Sequence, residues 1–181
     1  MAFTPACKWA AALATLLLSA FPLLHASAAD ASCDATPGFH LLDFWVGTWD
    51  VVSGSSRGKD TVRKIVAGCA LTEEWDGGPE DTGLSLFYFN VYTKKWTQVW
   101  VSNAATSLGG MKEKIYVGQP APGAVRFQGV LPGTFHGQPI LDRTTLTPIA
   151  LGRVHQLIEI SKDGGSTWRV TFDAIYTPIK Q

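Results

Sequence analysis

Charge is scarce in this chain. Only 17% of its 181 residues are Asp, Glu, Lys or Arg, and 15 acidic side chains balance 15 basic ones. A protein that displaces counterions from a phosphate backbone needs a basic face, so no nucleic-acid partner is expected. Cysteine is sparse too, with three in the chain. Cys33 and Cys69, with His40, His136 and His155 scattered around them, form no cluster at ligand spacing, so neither a metal nor another cofactor is expected. Beyond the first 25 residues no run is apolar enough to span a bilayer as a helix. Gly-x-Ser-x-Gly, phosphate-loop and His-x-x-x-His patterns are also missing, which removes the familiar nucleophile and metallohydrolase signatures. What the chain does have is apolar and aromatic surface: 46% hydrophobic residues, 11% aromatic, seven Trp. That is ample to bury, and it excludes disorder.

The first 29 residues read as a secretory leader. Lys8 is the only charge before Asp30, the stretch from Trp9 to Leu24 is almost wholly apolar, and Ala26-Ser27-Ala28 and Ser27-Ala28-Ala29 both fit a small-x-small cleavage site. Cleavage near Ala28 or Ala29 would place the mature protein in the periplasm or outside the cell. It would leave 152 residues carrying 14 basic and 15 acidic side chains, enough for one domain that buries roughly 68–70% of its unfolded surface. Cys7 departs with the leader, and the remaining pair, Cys33 and Cys69, is expected to form a disulfide. Residues 30–43 read as a lead segment and 44–181 as the folded domain.

From Phe44 onward the chain reads as strands broken by Gly, Pro, Asn and Asp. The first runs from Phe44 to Ser53, after a possible helical turn at His40–Asp43. Gly54–Asp60 reads as a loop, Thr61–Ala67 and Cys69–Asp76 as strands. Leu84–Tyr92 with Trp96–Ser102, and Met111–Val117 with Ala124–Val130, read as hairpins. A long loop over Leu131–Asp142 could cap a barrel mouth. Arg143–Thr147, Val154–Ser161 and Thr167–Tyr176 complete the set. Segments of this length and spacing, rich in Val, Ile, Phe, Tyr and Trp, signal an all-β fold. Short connections favour an up-and-down antiparallel barrel of about 8–10 strands, because closure removes exposed edges.

Two local patterns add to this. Phe44-Trp45-Val46-Gly47-Thr48-Trp49-Asp50-Val51 resembles the Gly-x-Trp first strand of lipocalins and related calycin barrels. Gly68-Cys69-Ala70-Leu71-Thr72-Glu73-Glu74-Trp75, Gly83-Leu84-Ser85 and Trp96-Thr97-Gln98-Val99-Trp100-Val101 follow in an order similar to a secreted bacterial family of lipocalin-like domains without a settled function. The resemblance implies a fold and a compartment, and no reaction. It implies that Trp49 plugs the closed end of the barrel beneath an Arg from the last strand, for which Arg169 is the candidate. The second pattern, Ser161-Lys162-Asp163-Gly164-Gly165-Ser166-Thr167-Trp168, resembles the Asp-box hairpin of sialidase propellers. One copy in a chain this short reads as a hairpin stabiliser, with Asp163 bonding turn amides and Trp168 packing over the hairpin.

Strand alternation supplies the candidate site. Trp96, Gln98 and Trp100 share one face of their strand. With that face inward and Tyr88 beside it, the barrel would hold an aromatic lining around a polar anchor, the make-up of a small-molecule pocket. The expected partner is a small apolar or aromatic ligand. Two other readings stay open: an enzyme using the same cavity, with Glu74 as acid/base through a raised carboxyl pKa, and an envelope interaction module whose core is filled. Glu113, between Lys112 and Lys114, reads as a surface residue, as do Arg126, His155 and Glu159.

Overall fold

The structure, a computed structural model, describes residues 32–180 and Met1; the leader and its cleavage site lie outside the described residues. Ten antiparallel strands close into one barrel in which each strand pairs with its sequence neighbours and the last returns to the first. They are β1 (Gly47–Ser53), β2 (Ser56–Ile65), β3 (Ala70–Asp76), β4 (Thr82–Asn90), β5 (Lys95–Ser102), β6 (Met111–Gly118), β7 (Val125–Phe135), β8 (Gln138–Ile149), β9 (Arg153–Ser161) and β10 (Arg169–Pro178). The fold is the all-β up-and-down barrel that strand spacing predicts, and its outline is compatible with a lipocalin-like fold.

Two expected loops are strand. Residues 54–60 were expected as a loop because they are polar, yet β1 and β2 meet at Ser53–Ser56 around Gly54 and pair continuously up to Gly47–Val62. The polar side chains Arg57, Lys59 and Thr61 alternate outward, while Gly58, Asp60 and Val62 turn in. The Leu131–Asp142 stretch, rich in Gly and Pro, is a projecting hairpin rather than a capping loop. β7 and β8 run on to a two-residue turn at His136-Gly137, both at positive φ, with a bulge between Leu131 and Thr134 absorbing the Pro-Gly pair. Nor does the first strand begin at Phe44. Asp43–Trp45 is a 3₁₀ turn, the third of three in residues 33–45.

Those turns fill one end of the barrel. Phe39, Leu42 and Trp45 are buried there against Trp49, Phe87, Trp96 and Phe127. The rings meet edge to face, with Trp45–Phe87 centroids 5.5 Å apart and Phe87–Phe127 5.6 Å apart, the arrangement the ring quadrupoles favour. The Cys33–Cys69 disulfide ties the lead segment to the β2–β3 turn. This end is therefore closed by an aromatic plug, and the space inside the barrel lies toward the other end.

Candidate functional site

Above the plug the inner wall changes character. On β3 the inward residues after Leu71 are Glu73 and Trp75. On β5 the Trp-bearing face points inward, so Trp96, Gln98 and Trp100 follow one another from the plug toward the mouth. On β6 the inward set is Lys112, Lys114 and Tyr116. These strands enclose a cavity of about 320 Å³, at the low end of small-molecule sites.

Its mouth is aromatic for a reason visible in two glycines. A Cβ at Gly58 would stand 2.5 Å from the Trp75 ring, and one at Gly83 only 2.3 Å from the Trp100 ring. The outer edge of each indole occupies the space that a Cβ would take on a neighbouring strand, and both rings line the cavity. Phe172 on β10 closes the ring, meeting Trp75 edge to face at 5.9 Å.

The floor is polar and almost fully hydrogen-bonded. Ser85 Oγ donates to Glu73, and Gln98 Nε2 donates to Ser85 Oγ at 3.1 Å. Lys114 Nζ donates to Thr144 Oγ1 at 2.6 Å and pairs with Asp142, which also holds Lys112 Nζ at 3.1 Å. Tyr176 OH donates to Gln156 Oε1. Four buried acceptor atoms stand without a hydrogen-bond partner among the described residues: Gln98 Oε1, both oxygens of Asp60, and Asp142 Oδ1, the last of which has the ion pair with Lys114. Asp60 lies just behind the floor, opposite Trp49 on one side and Trp75 on the other.

Burial sets the charge states. Loss of water pushes the Asp60 carboxyl up to about 9, with the Glu73 charge adding to the effect. It lifts Glu73 to about 7 against the stabilising hydrogen bond from Ser85 and the charge of Lys114. It lowers Lys114 to about 8, with Asp142 opposing. Tyr176 is held well above its ordinary value, by burial first and then by Asp60 and Glu73. Burial thus shifts a cavity carboxyl upward and a cavity ammonium downward, each toward neutrality, a condition suited to recognising a polar group or passing a proton.

Of the four side chains expected to line a pocket, Gln98 and Trp100 do so. Trp96 is in the plug, with its Nε1 donating to Gly38 O at 2.8 Å. Its other side borders a recess of about 520 Å³ at the closed end, with Phe89 and Tyr116. Tyr88 is on the outer face, 40% exposed, because β4 turns Ser85 and Phe87 inward. Glu74 also faces solvent and pairs with Arg63 at 2.7 Å. The carboxylate that reaches the cavity is its neighbour Glu73, since only that residue shares the face of Leu71 and Trp75. Arg169 does not cover Trp49. Trp49 pairs with Pro178 at one end of β10, whereas Arg169 pairs with Ile160 at the other and is exposed. Trp49 Nε1 donates instead to Trp45 O at 3.0 Å.

The Ser161–Trp168 segment is a self-contained turn away from the cavity. Asp163 accepts from the Thr167 amide at 2.9 Å and from Ser161 Oγ at 2.7 Å, and Trp168 Nε1 donates to Gly165 O at 3.0 Å. The Thr167 hydroxyl leads the bonds that hold the Asp163 carboxyl down at about 2. Arg143 stacks on Trp168 at 3.8 Å and grips Glu159 with two bonds of 2.7 and 3.0 Å. Glu159 and Arg126 are on the outer face, although Arg143 covers Glu159 until it is only 8% exposed. No group of three or more His, Cys, Asp or Glu among the described residues could hold a metal ion. Neither a protein-family model nor a curated protein matches the chain.

Proposed function

We propose that the protein is an exported, lipocalin-like barrel that binds a small molecule with an aromatic or apolar body and a hydrogen-bonding head. The observation that carries this is the cavity itself: about 320 Å³, walled at the mouth by Trp75, Trp100 and Phe172 and floored by Gln98, Lys112 and Gln156. A filled-core interaction module has no use for such a space. The expectation is a small apolar or aromatic ligand with Gln98 as its polar anchor; the free Gln98 Oε1 adds a hydrogen-bonding head group, because a wholly apolar molecule would leave that atom stripped of water and unpaired. The disulfide supports an oxidising compartment, and no helix among the described residues is long and apolar enough to cross a membrane.

Quenching of tryptophan emission by single-ring aromatic acids, amides and alcohols tests the reading. Trp100→Ala weakens the best binder by about tenfold, the equivalent of about 1.4 kcal/mol of lost ring contact. Gln98→Leu preserves the fold and shifts preference toward ligands without a head group. Probes that fail to bind the wild type, or that bind both variants as tightly as the wild type, would overturn the proposal.

A second reading makes the same cavity catalytic. Its support is Glu73, a buried carboxyl held near 7 beside Lys114 and within a hydrogen bond of Ser85, where an acid/base group is most effective. Under this reading Glu73→Gln keeps binding and abolishes turnover of the bound molecule.

A further inference from the structure

On the reading that this cavity binds a small molecule, the charges at its floor select the head group. Lys112 and Lys114 on β6 both reach the same carboxylate, Asp142 on β8. One carboxylate balances one ammonium, and the charge that faces the other is Glu73 on β3. With Glu73 ionised, the empty floor sets two cations against two anions. It also keeps donors free. An ammonium carries three N–H donors. Among the described residues Lys112 Nζ has Asp142 as partner, and Lys114 Nζ has Asp142 and Thr144. Two N–H groups on Lys112 and one on Lys114 are left for a ligand, in a setting where a charge-assisted bond to an oxyanion is strong.

A carboxylate that enters brings a third negative charge to a desolvated floor, and a buried charge without a partner is costly. One proton removes that cost. We propose that the cavity takes a monocarboxylate with an aromatic or apolar body, and that Glu73 binds one proton as the anion enters. The hydrogen-bond chain that starts at Glu73 suits the exchange. With Glu73 ionised, Ser85 Oγ donates to Glu73 and Gln98 Nε2 donates to Ser85 Oγ, which leaves Gln98 Oε1 unpaired. With Glu73 protonated the chain turns round. Glu73 donates to Ser85 Oγ, Ser85 Oγ donates to Gln98 Oε1, and the turned amide offers Nε2 as a further donor to the anion. The proton thus pairs the atom that the ionised chain leaves over. Asp60 on β2 and Tyr176 on β10 do not compete for it, because burial holds the first up at about 9 and the second well above its ordinary value, so both already carry protons at neutral pH. Lys114, lowered to about 8, is the competing group. The exposed Asp81 carboxylate borders the mouth and opposes a second negative charge on the ligand.

Isothermal titration calorimetry with benzoate and benzamide, matched in shape and different in charge, tests this. Benzoate is expected to bind about tenfold more tightly at about pH 6 than at about pH 8, where the proton must be drawn from solution. At the higher pH, heats in two buffers of different ionisation enthalpy should report about one proton taken up per benzoate and none per benzamide. Glu73→Gln imitates the protonated acid, so it binds benzoate equally at both pH values and takes up no proton. Lys112→Met weakens benzoate more than benzamide, and benzamide binding in each variant shows that the cavity is intact. Benzamide bound with benzoate excluded overturns the proposal and spares the binding reading. So does benzoate bound by the wild type without proton uptake, or a pH dependence that survives Glu73→Gln, which would place the proton on Lys114. If neither compound binds at millimolar concentration, both readings fall.

Discussion

Asp60→Asn should make the protein more stable at neutral pH and leave it nearly unchanged in mild acid. The Asp60 side chain is fully buried and neither oxygen has a partner among the described residues. Its folded-state pKa of about 9 stands far above the unfolded value of about 4. Between those values the folded state holds a proton that the unfolded state has released. Stability is therefore fully present below about pH 4 and falls as pH rises, by at most about 1.4 kcal/mol per pH unit. From about pH 5 to about pH 7 that amounts to at most about 3 kcal/mol. Asparagine keeps the shape and carries no titrating proton, so this slope disappears in the variant. Removing a potential negative charge beside Glu73 acts in the same direction. Guanidinium titrations followed by tryptophan emission, run at several pH values on both proteins, measure the difference directly. The two stability curves should converge at about pH 4 and below and open steadily toward pH 7 and above. Parallel curves would refute the reasoning, because they would mean that Asp60 ionises in the folded barrel at no cost.

Three other outcomes follow from the structure. Trp49→Ala should cost about 3–5 kcal/mol in a denaturant titration, the range for truncating a ring buried as deeply as this one; a loss under about 1 kcal/mol would remove Trp49 from the core. Reducing the Cys33–Cys69 bond, which closes a 36-residue separation, should cost about 4 kcal/mol by loop entropy and free the lead segment first, seen as faster hydrogen exchange in residues 33–45; uniform exchange across the barrel would contradict that order. Asp163→Ala should lower the melting temperature modestly and leave ligand affinity alone, since the turn it organises lies outside the cavity; loss of binding with an unchanged melting temperature would make that hairpin part of the site.

The barrel was legible because its evidence is distributed. Ten segments with turn residues between them indicate a meander even when single boundaries are wrong, and closure follows from the cost of free edges. The errors were local. Residues 54–60 and 131–142 looked like loops because polarity and Gly-Pro content were read as absence of strand. A strand with one face in water needs only every second residue apolar, and Gly58 is there to make room for Trp75. Arg169 was matched to Trp49 through a resemblance alone, and register places the two at opposite ends of β10. No local pattern in the sequence carries that distance.

The carboxylate that lines the cavity floor is Glu73, one residue from the expected Glu74, and the reason is physical. Hydrophobic alternation assigns the apolar face of a strand to the interior, and on most of this barrel that holds. On β4, β5 and β6 it is blurred: Ser85, Gln98 and Lys114 turn in beside Phe87, Trp96 and Trp100, while Leu86, Val99 and Ile115 turn out. Glu113 was read correctly as outward, but the same alternation requires Lys112 and Lys114 to point inward, and a pair of inward lysines requires the carboxylates Asp142 and Glu73 to meet them. Glu73 over Glu74 follows equally from parity with Leu71 and Trp75. The inward polar groups pair largely with one another, Ser85 with Glu73 and Gln98, and Lys114 with Asp142 and Thr144, so a mixed wall costs little at the floor. Gln98 Oε1 is left over on that floor, and it marks the point that a ligand's head group would meet under the proposed reading.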